Sequence, residues 1–325
     1  MSALPTLAGH FWTIAPVLRH RARPAIAPIA VEWSTELPDE RLGSIRLRGL
    51  FRDRPESDTA VIVVHGLGGT TVTHYCLTAA RAVDAAGVAC LRLALHNTDR
   101  DDEDLYHGGV SEDLHAAVAS PALARFRRIY VLAFSLGGHV ALRYALSGAD
   151  GRLGGAPRDP RVRAVAAICS PLDLELGAQH IDSSAAILYR RHVLTGLKAM
   201  YVACAARRHM PASVERVLAV RTIREWDSLT VVPRYDFSSV ESYYAQMSVG
   251  PKLADLELPA LLVSHPHDPM VPPWTYARHL AGKLPALEHR LLSSGGHVGY
   301  PPGIDLGEQG PRGVEAQALS WLLRH

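Results

Sequence analysis

Cysteine is scarce in this chain of 325 residues. The four present, Cys76, Cys90, Cys169 and Cys204, share no metal-site or redox spacing. That removes zinc-ribbon and CxxC chemistry. It leaves reduced, mostly buried thiols of the kind found in a cytosolic (cytoplasmic) protein, with no metal expected. Long apolar runs are missing too: no stretch approaches the roughly 20 residues that span a bilayer. Charge imbalance is absent, with 34 basic and 32 acidic side chains and a net charge of +2, so no nucleic-acid partner is expected. Internal repeats and low-complexity linkers are lacking. The glycine cluster at 65–70 carries neither a Walker Lys-Ser/Thr nor a G-x-G-x-x-G fingerprint, so no phosphate cradle and no cofactor are expected.

What is present is a large apolar fraction, 48% of the chain, enough for a sizeable core, in a length that suits one large α/β domain with an insertion or two small domains. An apolar patch, Phe11 to Leu18, precedes Arg19, His20, Arg21 and Arg23. A secretory signal carries its charges before the apolar run, so the patch is not one. Two readings stay open for it. It folds over the domain's own apolar surface, or it is a surface-seeking segment in peripheral contact with a membrane or lipid. Strand-like runs follow at Ile26–Trp33 and Ser44–Phe51, with turn residues from Leu37 to Gly43 between them. The run Ala60–Val64 is wholly apolar and β-branched, as in a strand buried on both faces. A helical pattern from about Thr71 to Ala86, a strand Val88–Leu95 and a Ser111-capped helix to Ala119 come next. The acidic run Asp99–Asp104 lacks the central glycine and terminal glutamate of an EF-hand loop, and reads better as a solvated surface loop. A strand at Arg163–Cys169 leads into a region, Asp173 to Ser248, with no convincing strand. Helices are expected there over 185–206, 211–220 and 239–247, with an irregular aromatic-rich linker over Trp226–Phe237. Strand Pro259–Val263, helix Trp274–Gly282, strand Glu288–Leu292 and helix Val314–Leu323 complete the chain. Alternation of this kind predicts a mostly parallel sheet of about eight strands with helices on both faces. The expected organisation is a core of residues 1–172 and 249–325, with an N-terminal arm over 1–27 and a helical cap over 173–248. Inserts at strand C-termini face the ligand site in open α/β sheets, which favours a lid or pocket wall over mere helical elaboration.

The chemistry concentrates at strand ends. Ile129–Phe134 is a run of β-formers ending on Ser135, followed by Gly137, Gly138 and a helical pattern. This is a strand, a sharp turn and a helix with serine at the apex, a nucleophile elbow with small residues Ala133 and Gly137 on either side. Asp268 lies in an Asp-Pro turn after the penultimate strand, and His297 in a glycine-flanked turn after the last. Serine, acid and histidine in that order suit a triad. His297 takes the proton of Ser135, and Asp268 holds the imidazole tautomer and stabilises its cation. Asp173, after the preceding strand, is the alternative acid. The loop His65-Gly-Leu-Gly-Gly69 suits an oxyanion hole built from the backbone N–H groups of Leu67 and Leu136, with His65 pinning the loop.

These segments resemble the α/β-hydrolase superfamily, and more narrowly its YheT-like branch of bacterial hydrolases and eukaryotic relatives. Gly9–Ile14 is similar to the branch's N-terminal "HLQTI" element, and His65–Gly69 to its oxyanion loop. Tyr106-His107-Gly108 with Glu112-Asp113-Leu114 is similar to "YHxGxxxDL", Arg224–Asp227 to "REFD" and Tyr243–Ser248 to "YYxxxS". Phe134–Gly138, His267–Val271 and Gly295–Gly299 match the elbow, acid and histidine turns. Ala133 replaces the usual first elbow glycine, and His96-Asn97-Thr98 stands where an Arg-Gly pair is usual. The resemblance implies a serine hydrolase of carboxylic esters, with short- or medium-chain acyl esters or acylglycerols as substrates. An acyltransferase or thioesterase using the same triad is the alternative. Tyr189, Tyr201, Trp226, Tyr235 and Tyr243 either line an acyl tunnel or pack the cap's own core.

Overall fold

A computed structural model of the chain describes residues 6–40, 42–96, 104–148 and 156–325. Eight strands form one sheet: β1 (Val31–Asp39), β2 (Gly43–Arg52), β3 (Thr59–Val64), β4 (Ala89–Ala94), β5 (Arg128–Phe134), β6 (Val162–Ile168), β7 (Ala260–Ser264) and β8 (Leu287–Leu291). Their order is β1-β2-β4-β3-β5-β6-β7-β8, with β2 antiparallel to both β1 and β4 and every later pairing parallel. The C-terminal ends of β3, β5, β6, β7 and β8 therefore share one edge.

Strand periodicity sorts the core into two layers. Ile62, Val64, Val131 and Ala133 face helices α3 (Glu112–Ala119) and α4 (Leu136–Leu146), while Val61, Val63, Leu132 and Phe134 face α2 (His74–Ala85) and α11 (Val314–Leu323). Every residue of β3 and β4 is buried, which explains why these strands have no polar alternation. The four cysteines are free and buried.

The chain begins with helix α1 (Leu7–Ala22), capped by Thr6, whose Oγ1 accepts from the amide of Gly9. One face of α1, at Gly9 and Thr13, is buried against the body of the protein. The other leaves Leu7, Phe11, Ile14 and Leu18 exposed. Among the described residues no helix is long and apolar enough to cross a membrane.

Between β6 and β7 lie six helices: α5 (Leu174–Asp182), α6 (Ile187–Ala205), α7 (Val214–Ala219), α8 (Ile223–Leu229), α9 (Val231–Arg234) and α10 (Val240–Met247). Three expectations are corrected here and nearby. The segment from Trp226 to Phe237 is largely helical, because Thr222 and Glu225 form a capping box at the start of α8 and Pro233 falls in the first turn of α9. Residues 274–282 form two 3-10 turns, Pro273–Thr275 and Ala277–Leu280, instead of a helix; Tyr276, with φ −136°, interrupts the winding between them. The first strand starts at Val31 and runs through the turn residues to Asp39, where Pro38 is tolerated because β1 is an edge strand. Most of the acidic run Asp99–Asp104 lies outside the described residues. Asp104 is buried and pairs with Arg234 of α9, with Nε 2.6 Å from Oδ1.

Candidate active site

β5 ends at Phe134, and Ser135 turns the chain into α4 with φ 52° and ψ −124°. That left-handed conformation is costly for a residue with a Cβ and lifts the hydroxyl away from strand and helix alike. Two glycines make room for it. A Cβ on Gly66 would lie 2.8 Å from that of Ser135, and a Cβ on Gly137 would lie 2.2 Å from the carbonyl oxygen of His65. Ala133 is fully buried in the sheet between Val64 and Ala167, so its methyl fits where the usual glycine is absent.

The Oγ of Ser135 lies 2.9 Å from Nε2 of His297, and Nδ1 of that ring lies 3.0 and 3.2 Å from the two Asp268 oxygens. His297 and Asp268 are buried, while Ser135 is partly open to the cavity. Oδ1 of Asp268 also accepts from the amides of Met270 (2.8 Å) and Val271 (3.0 Å). Burial alone would raise the pKa of this carboxyl. The charge and hydrogen bond of His297, with the two amides, outweigh it and hold the group below the ordinary carboxylate value. Asp173 is placed elsewhere. It caps α5 by accepting from the amide of Leu176 (2.9 Å) and pairs with Arg278 (2.5 Å) and His279 (3.0 Å).

The loop after β3 is held from beneath by tyrosines. Tyr75 accepts from the amide of Gly66 at 3.1 Å, and Tyr106 from that of Gly68 at 2.8 Å. The amide of Gly69 closes the turn onto the carbonyl of Gly66. Leu67 lies in this loop and Leu136 follows Ser135 at the start of α4, which are the positions expected of the two oxyanion N–H groups. The Leu136 N–H is also the first of helix α4, whose dipole favours negative charge there. His65 is neutral and structural. Its Nδ1 donates to the carbonyl of Gly66 (2.8 Å), its Nε2 accepts from the amide of Leu95 (3.2 Å), and burial lowers its pKa to about 4.

Three neighbours escaped the sequence reading. Thr13 of α1 accepts from the amide of His297 at 2.8 Å. Cys169, at φ 53°, places its thiol beside the histidine turn, 2.9 Å from the Tyr300 hydroxyl and accepting from the amide of Val298. Tyr106 carried a signal only as part of a longer motif. Cys169, Asp268 and His297 form the group of metal-binding size found among the described residues. Burial raises the thiol's pKa well above its ordinary value, and the other two members already bond each other, so the group is accounted for by its own contacts.

A cavity of about 640 Å³ opens over Ser135, within the usual range for small-molecule sites. Its roof comes from α5, α6, α8 and α10, and one wall from α1. Tyr189, Trp226 and Tyr243 line it. Tyr201 packs instead on Trp226, and Tyr235 on His107, inside the protein.

Residues 59–303 match the family model described as the alpha/beta hydrolase fold. The putative esterase YheT of Escherichia coli is 26% identical over 279 residues, covering 81% of this chain and 76% of that protein. The monoacylglycerol lipase of Saccharomyces cerevisiae is 25% identical over 218 residues, covering 60% of this chain and 43% of the lipase. Among solved structures, 2,6-dihydroxy-pseudo-oxynicotine hydrolase superposes with a TM-score of 0.54 at 17% identity, covering 94% of this chain and 70% of that one.

Proposed function

From the premise that this chain belongs to the alpha/beta-hydrolase family, we propose that it hydrolyses carboxylic esters through an acyl-enzyme on Ser135. The observation that carries this is the 2.9 Å contact from the serine hydroxyl to an imidazole whose far nitrogen is held by a buried carboxylate. Similarity to a putative esterase and to a monoacylglycerol lipase supports the ester class.

Nε2 of His297 takes the proton of Ser135 as Oγ bonds to the ester carbonyl carbon. The carbonyl π pair moves onto oxygen, where the N–H groups of Leu67 and Leu136 receive the charge. Collapse of the tetrahedral species breaks the bond to the alkoxy oxygen, which leaves with the proton from His297. Water then attacks the acyl-enzyme with His297 again as base, releasing the acid and restoring Ser135. Asp268 fixes the ring tautomer and steadies the imidazolium in both halves. Helices α5–α10, spanning 173–248 with their connections, act as a cap. The mostly apolar lining they share with α1 suits a short- or medium-chain acyl group or an acylglycerol.

The test is hydrolysis of p-nitrophenyl esters from acetate to palmitate by the wild type and Ser135→Ala, with fluorophosphonate labelling alongside. Turnover and labelling that both vanish in the variant are expected, and the chain-length optimum sizes the pocket. Labelling of Ser135 without turnover on any ester would replace hydrolysis by transfer to an acceptor other than water. Undiminished labelling of the variant would remove Ser135 from the site.

A further inference from the structure

The outer face of α1 is unusual for a helix so firmly attached. At 100° per residue, Leu7, Phe11, Ile14 and Leu18 fall within a narrow arc, opposite buried Gly9 and Thr13. All four are exposed, at 89, 58, 42 and 56%. The helix cannot roll to hide them, because its inner face is in backbone contact with the histidine turn. A Cβ on Gly296 would lie 2.3 Å from the carbonyl oxygen of Gly9, and one on Gly299 would lie 2.0 Å from that of Trp12. His10 ties the same helix to α6 through the Tyr189 hydroxyl at 2.6 Å.

The stripe is continuous with the mouth of the cavity. Ile14 and Leu18 also line that cavity, and across the opening Val72 and Leu188, from two other segments, line it and are exposed at 49 and 69%. The charge on this segment of the chain has one sign. Arg19, Arg21 and Arg23 are exposed at the end of α1, and the chain carries no Asp or Glu before Glu32. An apolar ridge flanked by arginines seats its apolar side chains among acyl chains and its guanidinium groups at anionic headgroups.

We propose that this face docks the protein on an anionic phospholipid surface, so that an ester held in that surface enters the cavity past Ile14 and Leu18 to reach Ser135. The inference rests on the ester-hydrolase reading for what is consumed, but the docking itself needs no catalysis.

The two parts separate experimentally. Full-length Ser135→Ala protein is co-sedimented with phosphatidylcholine vesicles, with and without phosphatidylglycerol. The expected result is pelleting with the mixed vesicles that weakens in high salt. It should fall about tenfold or more in Leu7→Ser/Phe11→Ser and in Arg19→Gln/Arg23→Gln. In an intact Ser135 background the same double variants should hydrolyse a soluble short-chain ester at the wild-type rate, which also reports their folding. On a vesicle-borne ester they should lose about tenfold. Equal pelleting of wild type and variants, or none with either vesicle, overturns the docking. So does a Leu7- and Phe11-dependent dimer in vesicle-free sedimentation velocity, which would assign the stripe to a second copy of the chain. Vesicle binding that depends on the stripe, in a protein that hydrolyses no ester, leaves the docking standing and removes the ester reading instead.

Discussion

The backbone N–H of His297 donates to the hydroxyl of Thr13 at 2.8 Å, across 284 positions of sequence. The same hydroxyl donates to the carbonyl of Gly9, so its geometry is fixed from both sides. The turn it supports is strained, because Val298 sits at φ 52°, a left-handed conformation that a β-branched residue resists. Thr13 is therefore a positioning residue for the imidazole. Thr13→Val keeps the shape and removes the acceptor, leaving a buried amide unsatisfied at a cost of about 1–3 kcal/mol. The expected outcome is a fall of about tenfold in kcat on a soluble ester, with KM little changed and with recovery in Thr13→Ser. Unchanged kcat in Thr13→Val would reduce the contact to packing.

The two acids near strand ends should separate by kinetics. Asp268 holds the imidazole and is itself held by two amides, so Asp268→Asn should lower kcat by about 10⁴-fold, as loss of the orienting carboxylate does in Ser-His-Asp enzymes. Asp173 caps α5 and pairs with Arg278 and His279, away from the imidazole. Asp173→Asn should leave kcat within about twofold and lower Tm by about 2 °C or more. The reverse pattern, with Asp173→Asn the inactive variant, would exchange the two assignments.

That Ser135, Asp268 and His297 meet at one edge of the sheet was legible because each follows a short buried strand and sits in a turn rich in glycine or proline, so periodicity and turn chemistry point to the same positions. The sheet was legible for the same reason, since β3, β4 and β5 are too uniformly apolar for an exposed element. Thr13 stood in the sequence only as part of the Gly9–Ile14 resemblance, and its contact with His297 was not legible. A threonine inside a helix is unremarkable, and its partner is almost the whole chain away. Cys169 reads as an inert buried thiol, and only the fold places it against the histidine turn. The helix at Ile223 did carry its own signal, Thr222-x-x-Glu225, which its aromatic and β-branched neighbours obscured. The double use of α1, with one face on the histidine turn and the other in solvent, depends on backbone contacts at Gly296 and Gly299 that no periodicity encodes.

Histidine is abundant, with 17 residues in the chain, and its buried members should set the pH range of stability. Burial holds His65, His74 and His115 down at about 4, and lowers His107 well below the ordinary value of 6.5. The bonding of two of them agrees with a neutral ring, since Nε2 of His65 accepts from Leu95 and Nδ1 of His107 accepts from Gly109. As pH falls from about 6.5 toward 4, the unfolded chain takes up protons at these sites that the folded chain refuses. Stability is therefore lost over that interval. Asp227 and Glu315, raised by burial to about 7, act in the opposite direction over the same range, but His139, which burial also holds at about 4, adds to the histidine side. His96 governs the alkaline side. Burial disfavours its charge, but Asp113 at 2.9 Å and the Leu105 carbonyl at 2.9 Å from the other nitrogen outweigh burial and raise its pKa to about 9. Its contribution is fully present below about 6.5 and disappears as pH rises through about 9. Tm measured from about pH 4.5 to about pH 9.5 should peak between those limits and fall more steeply on the acid side. His115→Gln should flatten the acid limb, because the ring nitrogen Nε2 of His115 is buried without a hydrogen-bond partner in the folded chain. His96→Gln should lower the whole curve and flatten its alkaline limb. An acid limb of unchanged slope in His115→Gln would remove that ring from the group, and an alkaline limb of unchanged slope in His96→Gln would mean that the His96–Asp113 pair is not charged in the folded protein.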